Sequence, residues 1–170
     1  MTLEKPALHH ARSFAENANN RKISANLRDY FPNPYTEADG ESFMRFCIEQ
    51  EGKTQMARII CIENRAVGCV SVLFGQDVSR FDCELGYWLG EKFWGQGVMP
   101  RAVNLLIDEV FENTPIVRVH AKAFSFNKAS CRVLEKAGFT LEGVLRKSVY
   151  KGGEFCDSLL YARIKDDASE

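Results

Sequence analysis

Strands and helices alternate along these 170 residues as in one α/β domain built on a mixed sheet, and three features carry that expectation. The extended run Cys83-Glu84-Leu85-Gly86-Tyr87-Trp88-Leu89 leads into a glycine-rich turn, Gly95-Gln96-Gly97-Val98-Met99-Pro100. A helical pattern follows, with apolar Val103, Leu106, Ile107 and Val110 at i, i+3, i+4, i+7. Val117, Val119, Ala121 and Ala123 alternate with Arg118, His120 and Lys122, the period of a half-buried strand over 116–124. Finally, two β-rich runs at 56–62 and 66–74 flank Glu63-Asn64-Arg65 as a hairpin.

The remaining elements follow in chain order. Residues 7–30 read as a broken helical region, interrupted at Phe31-Pro32-Asn33-Pro34 because each proline disfavours helix at the residue before it. Thr36 with Asp39 three residues on is an N-cap signature for a helix ending near Glu51-Gly52. A strand over 80–89 precedes the glycine turn, and a helix over 99–113 follows it. Lys128 to Ala137 reads as a further helix, capped at its C terminus by Gly138. Two strands, 139–150 and 155–164, close the chain around Lys151-Gly152-Gly153-Glu154. No linker, repeat or low-complexity stretch divides it, so a single domain over 1–170 is expected.

Composition narrows the class. Hydrophobic residues at 45% and charged residues at 26% are ordinary for a globular chain, and a net charge of −1 offers no general attraction to nucleic acid or membrane. The N terminus lacks the apolar core of a signal peptide, so cytoplasmic residence is the default. Six cysteines without a C-x-x-C pair read as free thiols, three of them (Cys61, Cys69, Cys83) in apolar strands. His9, His10 and His120 have no metal-ligand spacing with cysteine, so no metal is expected.

A glycine turn at a helix start points several N–H groups at one spot and suits a phosphate. The dinucleotide fingerprint fails, because Pro100 stands at the third glycine and the next strand carries Arg118, His120 and Lys122 where an acidic residue belongs. The triphosphate loop fails as well, because Gln96-Gly97 follow Gly95 where Lys and Ser/Thr are needed. A pyrophosphate held by backbone amides remains.

With these residues in view, the chain resembles the GNAT (Gcn5-related) N-acetyltransferases, whose acetyl-CoA loop reads Q/R-x-x-G-x-G/A; Lys92-Phe93-Trp94-Gly95-Gln96-Gly97 matches with Lys in first place. It is most similar to the branch of ribosomal-protein alanine N-acetyltransferases, through Gly86-Tyr87-Trp88-Leu89, Trp94-Gly95-Gln96-Gly97, Asn127-Lys128-Ala129-Ser130 and the segment 134–143. Asn19-Asn20 and the segment 31–36 extend the resemblance to roughly residues 17–164. It implies a single-domain α/β GNAT-like fold, a mixed, mostly antiparallel central sheet flanked by helices and splayed at its fourth and fifth strands, with acetyl-CoA as co-substrate. The pantetheine arm would lie in the splay on backbone groups of Tyr87, Trp88 and Leu89, and the pyrophosphate on amides of Gly95, Gln96, Gly97, Val98 and Met99. Asn127 would bond the pantetheine or adenosine-phosphate arm, alongside its ordinary role as a helix N-cap.

Amide formation from a thioester needs a group to take the amine's proton and help for the departing thiolate. Glu84, sharing a strand face with Gly86 and Trp88, is the candidate base, with solvated strand carboxylate as the competing reading. Asp82 is the weaker candidate, and Asp157, which could position an amine or pair with Arg146, reads as structural. Many family members carry a tyrosine seven residues after the asparagine as acid; here that residue is Leu134, and the resemblance shifts the role to Ser130. Val149 stands where one branch member has a glutamate base, which strengthens the case for Glu84. Most of Tyr30, Phe31, Tyr35, Trp88 and Phe126 are expected in the core, and Arg118, His120 and Lys122 on one solvated strand face. Direct transfer is favoured over an acyl-enzyme at Cys131, because no histidine is placed to activate that thiol. The acceptor would be a primary amine, on a small molecule or a protein N terminus, met by a monomer or homodimer. Opposing this reading is a coenzyme A-binding sensor that has lost catalysis.

Overall fold

In the computed structural model, residues 1–165 are described. The broken helical region resolves into α1 (Ala11–Ala18) and α2 (Arg21–Ser24), with Asn20 capping α2 by accepting the Lys22 N–H. Helix α3 (Glu37–Gln50) opens with a complete capping box. The Thr36 hydroxyl accepts the Asp39 N–H and the Asp39 carboxylate accepts the Thr36 N–H, two otherwise orphaned donors satisfied reciprocally. Strands β2 (Gln55–Ile62) and β3 (Arg65–Phe74) form the expected hairpin, and Glu63 and Asn64 both take positive φ, 51° and 59°, as a tight two-residue turn requires.

The other elements are β4 (Asp82–Leu89), α4 (Val98–Asn113), β5 (Arg118–Phe124), α5 (Lys128–Lys136), β6 (Thr140–Lys151) and β7 (Glu154–Ile164). A short strand, β1 (Thr2–Glu4), was not anticipated, since three residues carry no readable period. Seven strands run in the order β1-β2-β3-β4-β5-β7-β6, every neighbour antiparallel except the β4–β5 pair. The mixed, mostly antiparallel sheet is therefore present.

Alternation along β4 divides its side chains between two apolar layers. Cys83, Leu85 and Leu89 point into a core with Val103, Leu106, Ile107 and Val110 of α4 and Leu134 of α5. Trp88 points the other way, into a second core with Phe14 and Ala18 of α1, Met44 of α3 and Tyr35. The Phe14 and Trp88 rings meet edge-on at 4.7 Å between centroids. Tyr35 and Trp88 are thus core residues as expected, whereas Tyr30 and Phe126 are exposed, 78% and 50%.

Tertiary contacts overrode two smaller expectations. Val117 is half exposed and Ile116 is buried in its place, because the regular strand starts only at Arg118. Arg118 and His120 do not lie on a solvated face. They are drawn into ion pairs beside Asp82, and of the three only Lys122 is exposed.

Buried Arg58 of β2 was also missed. Its guanidinium donates to Glu51 at 2.7 Å and to Glu109 of α4 at 2.9 Å, pairing the charge that burial would otherwise make costly. At the β1 edge the strand register gathers Glu4, His10 and Cys61, whose donor atoms lie within 4.8 Å of one another, a grouping invisible to sequence spacing. His10 Nε2 lies 3.1 Å from the Glu4 carboxylate and helps hold β1 in place. Burial pushes the Cys61 thiol up to about 11, and those of Cys47 and Cys83 up to about 12, which makes all three inert small hydrophobes at neutral pH.

Candidate active site

The parallel β4–β5 pair is joined only at Asp82↔Arg118, Cys83↔Val119 and Glu84↔His120, while β4 continues to Leu89 and β5 to Phe124. Past Glu84 the two strands diverge. β3 remains paired to β4 as far as Leu89, and β7 to β5 as far as Phe124, so only the facing edges open.

Register decides which peptide groups face that gap. Gly90 N–H donates to Val67 O and Gly75 N–H donates to Asp82 O, so the even-numbered residues of β4 are bonded to β3. Strand alternation then turns the N–H and C=O of Leu85, Tyr87 and Leu89 toward the gap. Trp88, grouped with its neighbours by the family resemblance, has its peptide groups bonded to β3 and contributes its indole to the core instead. The Leu89 carbonyl accepts the Trp94 indole N–H at 2.7 Å, which leaves the Leu89 N–H and both Tyr87 groups open to the gap.

Beyond β4, Gly95 and Gly97 take φ of 73° and 74°, and an added Cβ at either would meet nothing within 4 Å. These glycines are required by backbone conformation, since L side chains cost about 1–2 kcal/mol there. Gly97 is the left-handed N-cap of α4, which begins at Val98, one residue earlier than the pattern placed it. The Gln96 side chain donates back to Lys92 O at 2.8 Å and braces the loop. Among the described residues, no protein acceptor meets the amides of Gly95, Gln96, Gly97, Val98 or Met99. Pro100 has no N–H to offer. These five donors, at the positive end of a sixteen-residue helix, are arranged as a cradle that suits an anion.

Asn127 caps α5, its Oδ1 accepting the Ser130 N–H at 3.1 Å. Ser130 Oγ lies 2.7 Å from the Tyr87 phenol, which crosses from β4 beneath α5 and also reaches Ser130 O at 3.2 Å. Burial holds the Tyr87 phenol above its ordinary range, so it stays protonated. Leu134, at the position of the family tyrosine, is 1% exposed and faces the sheet.

Glu84 lies on the opposite face, half-buried, with its carboxylate against the Arg28 guanidinium from the loop after α2. Asp82, the weaker candidate base, is engaged by His120 Nδ1 at 2.9 Å and Arg118 Nε at 3.4 Å, and Arg118 also clasps Glu142 in two-point fashion. Asp157 does not pair with Arg146. It accepts the Lys147 N–H at 2.7 Å, where Lys147 bulges out of β6 at φ 50°. The β6–β7 hairpin runs on past the end of β5, and Lys151 reaches Asp29 at 2.6 Å. Beside that bridge and near Arg28 lies an open recess of about 320 Å³, lined by Arg21, Asp29, Phe31 and Lys151 among others. Sequence reasoning did not foresee Arg28, Tyr87 as a side-chain participant, or this recess. Each depends on a partner distant in the chain.

The acetyltransferase (GNAT) domain model matches residues 1–140. The chain belongs to the GNAT family. The probable N-acetyltransferase YjcK of Bacillus subtilis (strain 168) is 32% identical over 123 residues, 71% of this chain and 66% of its own length. The ribosomal-protein-serine acetyltransferase of Escherichia coli (strain K12) is 31% identical over 119 residues, 70% of this chain and 65% of its own. The chain thus spans just under two-thirds of these two curated relatives. Among solved structures, the microcin C7 self-immunity acetyltransferase MccE, in complex with acetyl-CoA and AMP, superposes with a TM-score of 0.81 at 30% identity, covering 96% of this chain and 91% of the other. The splay and the amide cradle described above are thus features of a GNAT chain. No helix among the described residues is long and apolar enough to cross a membrane.

Proposed function

We propose that this GNAT chain transfers an acetyl group from acetyl-CoA directly to a primary amine. The observation that carries the reading is that β4, past its last pair with β5, leads directly along the chain into five free amides at the start of α4. The two amides of a pantetheine arm match the unpaired groups of Tyr87 and the Leu89 N–H, and the pyrophosphate matches Gly95, Gln96, Gly97, Val98 and Met99. Asn127, which caps α5 through its Oδ1, binds the pantetheine or adenosine-phosphate arm on this reading. The MccE complex with acetyl-CoA supports this choice of donor.

On this reading the reaction is divided by the sheet. Glu84 stands on the α1 and α3 face and takes the proton of an amine arriving from that side. Ser130 stands on the α4 and α5 face and donates a hydrogen bond to the departing sulfur. The thioester, threaded through the gap, is reached from both. An acceptor ammonium takes the place of the Arg28 guanidinium on Glu84. That exchange is cheap, since a partly exposed ion pair is worth about 0–1 kcal/mol. The acceptor class, small molecule or protein N terminus, is the finer part of the proposal. The ribosomal-protein-serine acetyltransferase among its relatives favours testing N-terminal peptides first.

Thiol release from acetyl-CoA, measured across a panel of N-terminal peptides and small amines, tests the reading. Glu84→Gln should lower turnover at neutral pH by about 100-fold or more while CoA affinity stays within twofold. Tight CoA binding with no turnover on any acceptor would support a coenzyme A-binding module instead.

A further inference from the structure

Ser130 is poorly placed to act alone. A serine in the first turn of a helix can turn its hydroxyl back onto a carbonyl of its own chain, where its proton is of no use to a leaving group. Asn127 fixes the Ser130 backbone through the N–H but leaves the side chain free to rotate. The Tyr87 phenol closes that freedom, lying 2.7 Å from Ser130 Oγ and 3.2 Å from Ser130 O. Tyr87 is also past the last β4–β5 pair at Glu84, so its backbone edge faces the gap while its ring supports the serine.

We infer that Tyr87 is a positioning residue that holds the Ser130 hydroxyl toward the departing sulfur. The inference rests on the reading that Ser130 hydrogen-bonds the thiolate. Two hydrogen-bond arrangements fit the two distances. In the first, Ser130 O–H donates to the phenol oxygen and the phenol O–H donates to Ser130 O, a closed ring. In the second, the phenol O–H donates to Ser130 Oγ, and the Ser130 proton is free to point into the gap. Negative charge developing on sulfur favours the second.

The balance is simple. The acceptor ammonium first gives up one proton to solvent by way of Glu84; the N–C bond then forms, the C–S bond breaks with its electron pair on sulfur, and the second displaced N–H proton passes to Glu84. Ser130 and Tyr87 end with the protons they began with. The phenol suits this task because burial keeps it protonated across neutral pH, so it acts as a donor and never as a competing base. The arrangement also accounts for Leu134. The position where many relatives carry a phenol is buried against the sheet here, and the phenol near the gap comes from β4.

The test compares Tyr87→Phe, Ser130→Ala and the double variant with two donors, acetyl-CoA and its selenoester analogue. A selenolate is a much weaker base than a thiolate and leaves without help, while the pantetheine arm is unchanged. With acetyl-CoA, Tyr87→Phe should lower kcat about tenfold and leave KM for acetyl-CoA within about twofold, as expected for an interaction made only in the transition state. With the selenoester that loss should disappear. The double variant should be no slower than Ser130→Ala alone, because the tyrosine acts through the serine. A Tyr87→Phe loss of equal size with both donors would make Tyr87 a packing residue and overturn the inference. So would a Ser130→Ala loss confined to acetyl-CoA with Tyr87→Phe unchanged, which leaves the Ser130 reading standing. If neither variant discriminates between donors, the Ser130 reading itself fails and takes the inference with it.

Discussion

The two ends of the β4–β5 pair are built from the same strands by opposite means. At the N-terminal end of β4, three parallel register pairs are backed by side chains. His120 and Arg118 both engage Asp82, and Arg118 clasps Glu142 as well. At the other end, among the described residues, nothing from β5 pairs with Tyr87 or Leu89, and the amides just beyond meet no protein acceptor. One end satisfies its polar groups internally, and the other leaves them without a strand partner, as the proposed binding of coenzyme A requires. A sheet can therefore carry a binding cleft at modest cost, provided the strands are clamped where they still meet and each keeps its outer neighbour. Here β3 and β7 do the latter.

That contrast can be broken at either end. At the open end, Gly97→Val should weaken CoA binding about tenfold, because an L residue at φ 74° costs about 1–2 kcal/mol and the loop relaxes away from its cradle geometry. Titration calorimetry would show it, and unchanged affinity would remove the amide cradle from the reading. At the clamped end, Asp82→Asn should leave CoA affinity within twofold but lower stability by about 1 kcal/mol, read as a drop of a few degrees in Tm. A large loss of affinity there would mean that the clamp and the cleft are not separable.

The smallest effect concerns acid. The Arg118 guanidinium holds the Glu142 carboxyl below its usual 4.5, so the pair stabilises the fold above that pH and loses its contribution as pH falls through the lowered value. Glu142→Gln should cost at most about 1 kcal/mol at pH 7, since the carboxylate is well exposed to solvent. The Tm difference from the parent should shrink as pH drops below 4.5. A difference that stays constant with pH would assign Glu142 a packing role only.

Much of this was legible in local pattern. The capping box at Thr36 and Asp39, the hairpin at Glu63 and Asn64, and the glycine turn before α4 each involve residues within a few positions of one another. Such signals survive in sequence because the physics that sets them is local. Arg58 was illegible for the opposite reason. Whether an arginine in an apolar strand is buried depends on carboxylates at Glu51 and Glu109, and no period announces them. Trp88 shows a subtler limit. Sequence placed it at the gap with Tyr87 and Leu89, but only the β3 register reveals that its peptide groups turn the other way.

By itself, then, the sequence determined the order of the elements after β1, the mixed sheet, the glycine-rich turn and, with the family resemblance, the candidates Glu84, Asn127 and Ser130. Tertiary structure decided what each of these faces. It put Glu84 and Ser130 on opposite faces of one strand pair, brought Arg28 to the first and Tyr87 to the second, and committed Asp82 to a clamp. The physical reason is one of range. Helix, turn and cap preferences are settled over a few residues, whereas a hydrogen bond between positions 87 and 130 exists only once β4 and α5 have packed together.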